Sequence, residues 1–206
     1  TLKDAETIRE ALGIDRWIVL GGSWGGALAL RYAASYPHRS LGLVVRSSLI
    51  SRERLERWMF HERPKRFKAG RHALDLFLDP LDVVERRSPI AAWFARLSDC
   101  EKQAMEAAKR VGALEAAFHG PEPSAVGRGP IPQEADLARI KVYLWYWMNS
   151  FYLPRQWPAE PKKIAALPHS IIHGKNDLIC PIGDTRDYCE SGDLNFVELN
   201  GVGHNA

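Results

Sequence analysis

An α/β fold with a mostly parallel sheet and one long helical insertion is what this 206-residue sequence predicts. Three observations carry that expectation. Short apolar runs at 17–20 and 41–45 are separated by a helix-like Ala/Leu stretch, which is the helix–strand alternation of α/β proteins. Strand-like runs return at 170–172 and 196–199, and between the two pairs lies a charged stretch of over a hundred residues with no buried-strand signal.

The elements follow in order. Thr1 to Gly13 places Ile8, Ala11 and Leu12 on one helical face, with Gly13 as the stop. Trp17-Ile18-Val19-Leu20 is continuously apolar and ends in Gly21-Gly22, as suits a strand buried on both faces of a parallel sheet. Ala27 to Tyr36 reads as a helix stopped by Pro37, and Leu41 to Val45 as a second buried strand. From Leu49 to Leu167 the pattern is helical, split by a Gly/Pro-rich loop from Gly120 to Pro132. The aromatic run Tyr143 to Trp147 reads as core packing, and Pro154, Pro158, Pro161 and Pro168 then break the chain repeatedly. Residues 1–48 and 168–206 are therefore expected to form the core, and 49–167 a helical cap subdomain.

Composition excludes more than it assigns. Hydrophobic residues make up 46% and charged residues 26%, a globular balance, and the net charge of +3 is mild. The basic stretch Arg52 to Arg71 is interleaved with Glu53, Glu56 and Glu62, a solvated helix face rather than a nucleic-acid stripe. Three cysteines, Cys100, Cys180 and Cys189, without a C-x-x-C spacing, argue against a disulfide framework and a zinc site. No apolar run approaches the roughly 18 residues of a membrane span. Nucleic acid and membrane are thus not expected partners, a zinc site is not expected, and the expected location is cytoplasmic.

The chemistry is concentrated in three places. Gly21-Gly22-Ser23-Trp24-Gly25 fits G-x-S-x-G, with a strand before it and a helix after. Small neighbours let a serine occupy such a strained turn, and the helix N-terminus behind it favours developing negative charge. A serine hydroxyl needs a base, and the base an orienting acid. Asp177 follows the strand at Ile171-Ile172, and His204 follows the strand around Val197, giving the order serine, acid, histidine. His173 precedes the acid, and Asp184 and Asp187 fall where a helix begins, so Ser23, Asp177 and His204 are the candidate triad.

With these motifs in place the sequence resembles the proline iminopeptidases (prolyl aminopeptidases) of the α/β-hydrolase superfamily. The resemblance rests on Leu12 to Trp17 leading into the elbow, Leu28-Ala29-Leu30, Tyr36-Pro37, Leu43-Val44-Val45-Arg46, His173-Gly174 to Asp177, Cys180-Pro181 and Gly203-His204. It implies an α/β-hydrolase core with an inserted helical cap. It also implies release of N-terminal proline by acyl transfer to Ser23, without metal or cofactor, from a small peptide substrate. The Trp24 N–H is then one oxyanion donor, and Cys180 borders the substrate.

Two departures from the family pattern stand out. The family's His-Gly-Gly-Pro-Gly oxyanion loop does not occur, and the sequence starts at the helix before the elbow strand. The expectation is an N-terminally truncated core lacking its first strands and last helix, with strand 17–20 left as an open, apolar edge. The family's glutamates hold the substrate amino group. Ala107-Ala108-Lys109 to Leu114-Glu115 matches one such stretch and makes Glu115 the corresponding carboxylate. After Ala138-Arg139-Ile140, however, Lys141 stands where a glutamate is expected, or Tyr143 after a small register shift. The rival readings are an esterase or amidase of the same superfamily, and an inert fragment or binding protein.

Overall fold

The computed structural model describes residues 1–119, 134–154, 157 and 161–204. The Gly/Pro-rich stretch 120–132 and Pro158 lie outside the described residues. The chain divides into two units, 1–55 with 154–206, and 56–153. Reading the sequence had drawn the boundaries at 48/49 and 167/168.

The first unit contains a four-stranded parallel sheet in the order β1 (Trp17–Gly22), β2 (Ser40–Arg46), β3 (His169–Gly174), β4 (Phe196–Leu199). Helix α1 (Leu2–Ala11) precedes β1, and α2 (Trp24–Ser35) links β1 to β2. Alternation along the strands sends Val19, Leu43, Val45, Ile171 and Phe196 to one face, where Ala29, Leu30 and Ala33 of α2 meet them. Ile164, Tyr188, Cys189 and Leu194 complete that cluster. Leu30, Val45 and Ile171 are fully buried there, each worth about 1.5–3 kcal/mol relative to exposure.

The opposite face differs from the expectation for β1. Ile18 and Leu20 are 68% and 76% exposed, and among the described residues β1 pairs with β2 alone. The strand is therefore half-covered and not buried on both faces, while its place at the edge of the described sheet agrees with the open, apolar edge expected above. Helix α1 also buries a different side chain than its apolar pattern suggests. Ile8 and Leu12 are exposed, whereas Arg9 is buried, donating to Glu6 and to the Ile14 carbonyl. Glu6 in turn accepts from the Tyr32 hydroxyl of α2, so a polar chain anchors this helix. Gly13, at φ +66, ends it as expected.

From residue 52 the described elements are α3 (Arg52–Arg57), a π-helical turn (Trp58–Glu62), α4 (Arg63–Arg66), α5 (Lys68–Leu78), α6 (Pro89–Arg96), α7 (Glu101–His119) and α8 (Glu134–Met148). The aromatic run lies on α8, so its helical period splits it. Leu144 and Trp147 are buried, while Trp145 is 45% exposed and donates to the Tyr152 hydroxyl. Helix α9 (Lys162–Ala165) precedes β3, and α10 (Ile182–Glu190) joins β3 to β4. Among the described residues no helix is long and apolar enough to cross a membrane.

Candidate active site

Ser23 sits between the end of β1 and the start of α2 with φ 56 and ψ −125. A non-glycine residue held there stores about 1–3 kcal/mol of strain. The turn is possible because strand and helix approach closely: a Cβ on Gly21 would lie 2.1 Å from the Gly25 carbonyl oxygen. The Ser23 N–H donates to the Arg46 carbonyl at 3.0 Å, and the Leu49 N–H donates back to the Ser23 carbonyl at 3.0 Å. The elbow is thus tied to the end of β2 and to the loop beyond it. Trp24 is the first residue of α2, so its peptide N–H opens a twelve-residue helix whose positive dipole end lies at Ser23.

Asp177 lies in the loop after β3, 5% exposed. Main-chain bonds stitch this loop to the one after β4: Lys175 N–H to the Leu199 carbonyl and Asn176 N–H to the Val202 carbonyl, each 2.9 Å. Gly174 allows the approach, since a Cβ there would be 2.3 Å from the carbonyl oxygens of both Val202 and Gly203. The carboxylate meets four nitrogens within 3.0 Å. Oδ1 receives the N–H groups of Ile179 at 2.8 Å and Cys180 at 3.0 Å. Oδ2 lies 2.9 Å from His204 Nδ1 and 3.0 Å from His173 Nε2. Burial by itself would push the carboxyl up. The hydrogen bonds from His173 and His204, the His204 charge and the Ile179 N–H outweigh it and hold Asp177 well below the usual carboxylate range.

His204 follows β4, and its ring meets Asp177 through Nδ1. That contact leaves Nε2 as the nitrogen for proton transfer. The His204 carbonyl accepts from the Arg46 guanidinium, and Arg46's own carbonyl holds the Ser23 N–H. Nucleophile candidate and base candidate are therefore both fastened to Arg46, a residue at the end of a buried strand.

Cys180 is buried, and burial first of all, then the Asp177 charge, pushes its thiol well up. A hydrogen bond with the Ser23 side chain acts in the other direction. The thiol therefore sits beside the serine in its protonated form. By chain order His173 is only a rival base; the structure buries it completely against the acid. Asp184 and Asp187 are occupied by Arg54, at 2.9 and 2.8 Å.

Glu115 belongs to the helical unit, on α7. With Leu114, Val111, Met59, Phe77, Tyr143 and Trp147 it lines a small cavity of about 10 Å³. Arg139 Nη1 of α8 donates to both oxygens of its carboxylate, at 3.0 and 2.9 Å. Of the two positions considered for the second carboxylate, Tyr143 shares this cavity and Lys141 is exposed. Among the described residues no group of three or more His, Cys, Asp or Glu side chains could hold a metal ion.

The alpha/beta hydrolase fold family matches residues 1–76. A proline iminopeptidase of Xylella fastidiosa (strain Temecula1 / ATCC 700964) is 31% identical over 211 residues, covering 98% of this chain and 66% of the relative. One of Xanthomonas citri is 32% identical over 188 residues, covering 89% of this chain and 59% of the relative. The chain thus spans less than two thirds of these relatives' length. Among solved structures, an alpha/beta fold family hydrolase from Bacillus anthracis str. Sterne aligns with a TM-score of 0.52 at 20% identity, covering 100% of this chain and 66% of that one. An epoxide hydrolase of the same superfamily from metagenomes of hot environments gives 0.55 at 18% identity, covering 98% and 66%. Both share the fold.

Proposed function

This chain has the α/β-hydrolase fold, and on that premise we propose that it is a serine hydrolase acting through an acyl-enzyme, with N-terminal proline of small peptides as its substrate class. One observation carries the chemistry: a serine strained at a strand-to-helix turn, on the same sheet as a buried aspartate bonded to a histidine. In the proposed reaction Ser23 Oγ attacks the scissile carbonyl while His204 Nε2 takes its proton. Asp177 keeps the proton of neutral His204 on Nδ1 and stabilises the imidazolium that forms. The Trp24 N–H donates to the oxyanion. Collapse of the tetrahedral intermediate expels the amine, which takes the proton back from His204. Water, deprotonated by the same histidine, then cleaves the ester and restores Ser23.

The proline preference rests on the names of the relatives from Xylella and Xanthomonas. Glu115 is the proposed reader of the substrate's ammonium group. A specific observation favours a second reading, an esterase or amidase of the same superfamily indifferent to a free amine. Arg139 already neutralises Glu115, and the neighbouring position offers the neutral Tyr143. The test has two arms. A fluorophosphonate should label the chain at Ser23 and leave Ser23→Ala unlabelled; an unlabelled wild type ends the hydrolase reading. Rates on a prolyl arylamide and an aryl acetate then separate the substrates, and turnover of the acetate alone would select the second reading.

A further inference from the structure

His173 is fully buried on β3, four residues before the acid, and the reaction above gives it no task. Its Nε2 faces two acceptors at once, Asp177 Oδ2 at 3.0 Å and the Cys180 carbonyl at 2.9 Å. Neither can donate, the one being an ionised carboxylate and the other a carbonyl, so Nε2 must carry the proton. Nδ1 is buried with no hydrogen-bond partner among the described residues. A proton there would be a buried donor without an acceptor, so Nδ1 keeps its lone pair and the ring is neutral. One N–H is therefore hydrogen-bonded to the backbone of the loop that carries the acid and lies 3.0 Å from the acid itself.

We propose that His173 is the positioning residue for the acid: its Nε2–H pins Asp177 Oδ2 where His204 Nδ1 meets it. The two oxygens of the carboxylate are held differently. Oδ1 is fixed by two backbone N–H groups, of Ile179 and Cys180, whose positions the loop determines. Oδ2 instead meets two side chains, His173 and His204. Without His173 its placement depends on His204, the group it is meant to orient. The bond from His173 to the Cys180 carbonyl also anchors the loop whose N–H groups hold Oδ1. His173 does not itself shuttle a proton, because it is fully buried and its second nitrogen has no hydrogen-bond partner among the described residues.

The catalytic consequence rests on the serine-hydrolase reading, whereas the geometry can be tested without it. In the ¹⁵N-labelled full chain, long-range ¹H–¹⁵N spectra should show His173 as the Nε2–H tautomer. The Nδ1–H tautomer would overturn the proposal whatever the activity. His173→Phe keeps the ring volume and removes the donor; His173→Gln restores an N–H at similar reach. In the Phe variant the fluorophosphonate reaction at Ser23 should slow ten- to a hundredfold, and the downfield His204 Nδ1–H resonance should be lost to exchange. In the Gln variant both should return to within about threefold of wild type, as replacement of one N–H donor by another predicts. A folded Phe variant with unchanged rate and resonance refutes the pin, as does a folded Gln variant that recovers neither. If the wild type does not react with the probe, the hydrolase reading fails, and the tautomer and the resonance still judge His173.

Discussion

Replacing Asp177 by Asn tests the orientation of the acid, because the structure dictates which way the new amide must turn. Oδ1 receives two backbone N–H groups, at 2.8 and 3.0 Å. An Asn NH₂ placed there would set donor against donor twice, so the amide oxygen takes the Oδ1 site. Its NH₂ then occupies the Oδ2 site, facing His204 Nδ1 and His173 Nε2. His204 can accept that hydrogen bond only through an unprotonated Nδ1, which moves its own proton to Nε2. In that tautomer His204 cannot take the Ser23 proton. The expected loss in kcat is about 10⁴-fold, or about 5 kcal/mol of transition-state stabilisation, with KM little changed. The assay is steady-state hydrolysis of whichever of the two aryl substrates the wild type turns over. A loss below tenfold, with His204 shown by NMR to keep its proton on Nδ1, would refute the reasoning. Stability provides a second arm. The folded carboxyl lies below its ordinary 3.8, so its stabilising contribution is complete above that pH and fades as pH falls through the depressed folded value. The wild-type advantage over Asp177→Asn in urea melts should therefore be constant near neutrality and shrink below about pH 4, the ordinary Asp range.

Three further outcomes are expected. Cys180→Ser should retain turnover within about tenfold, since a thiol kept protonated by burial is no nucleophile; a folded but inactive variant would reopen that role. Glu115→Gln should raise KM for a prolyl arylamide about ten- to a hundredfold, the worth of a charge-assisted hydrogen bond, and leave an aryl acetate unaffected. Equal effects on both substrates would remove Glu115 as the amine reader. Ile18→Lys combined with Leu20→Glu should reduce self-association of the 206-residue chain in sedimentation, because both side chains are exposed on an edge strand; unchanged association would place the contact elsewhere.

What the sequence revealed follows from the range of the forces involved. Strands 17–20 and 41–45 announce themselves as short apolar runs, and the elbow by its glycines, since close approach at Gly21 tolerates no side chain. Asp177 and His204 were legible as loop residues following strands. Reading failed where a polar side chain is buried by partners distant in sequence. Arg9 displaces Ile8 from the covered face of α1 because Glu6, Ile14 and the reach of Glu6 to Tyr32 reward its burial. Arg139 lies 24 residues from the carboxylate it neutralises, and no local pattern pairs the two. His173 could be excluded as the base from chain order, but its contact with the acid depends on how the loop turns after Gly174. The open side of β1 is expected from the family pattern and not from hydropathy, which reports that a residue is apolar and not whether anything covers it.

The sheet itself explains why three distant segments converge. All four strands run parallel, so their C-terminal ends lie along one edge, and the register fixes which ends are level. Gly22 pairs with Arg46, Arg46 with Ile172, and Gly174 with Leu199. Ser23, Ser47, the acid loop and the histidine loop leave from these positions, at the strand ends where open α/β sheets gather their ligands. The ties that follow are almost all to main-chain atoms: Ser23 to Arg46, Ser47 to Ile172, Lys175 to Leu199, Asn176 to Val202 and the Arg46 guanidinium to His204. Main-chain atoms do not change when side chains do. The geometry at the strand ends is therefore set by register and by the two glycines that permit close approach. A one-residue slip of β3 against β2 would move Asp177 by about 3.3 Å, more than the length of its bond to His204. The fully buried Val45 and Ile171, paired across those strands, oppose that slip, because it would turn the whole apolar set of β3 to the other face.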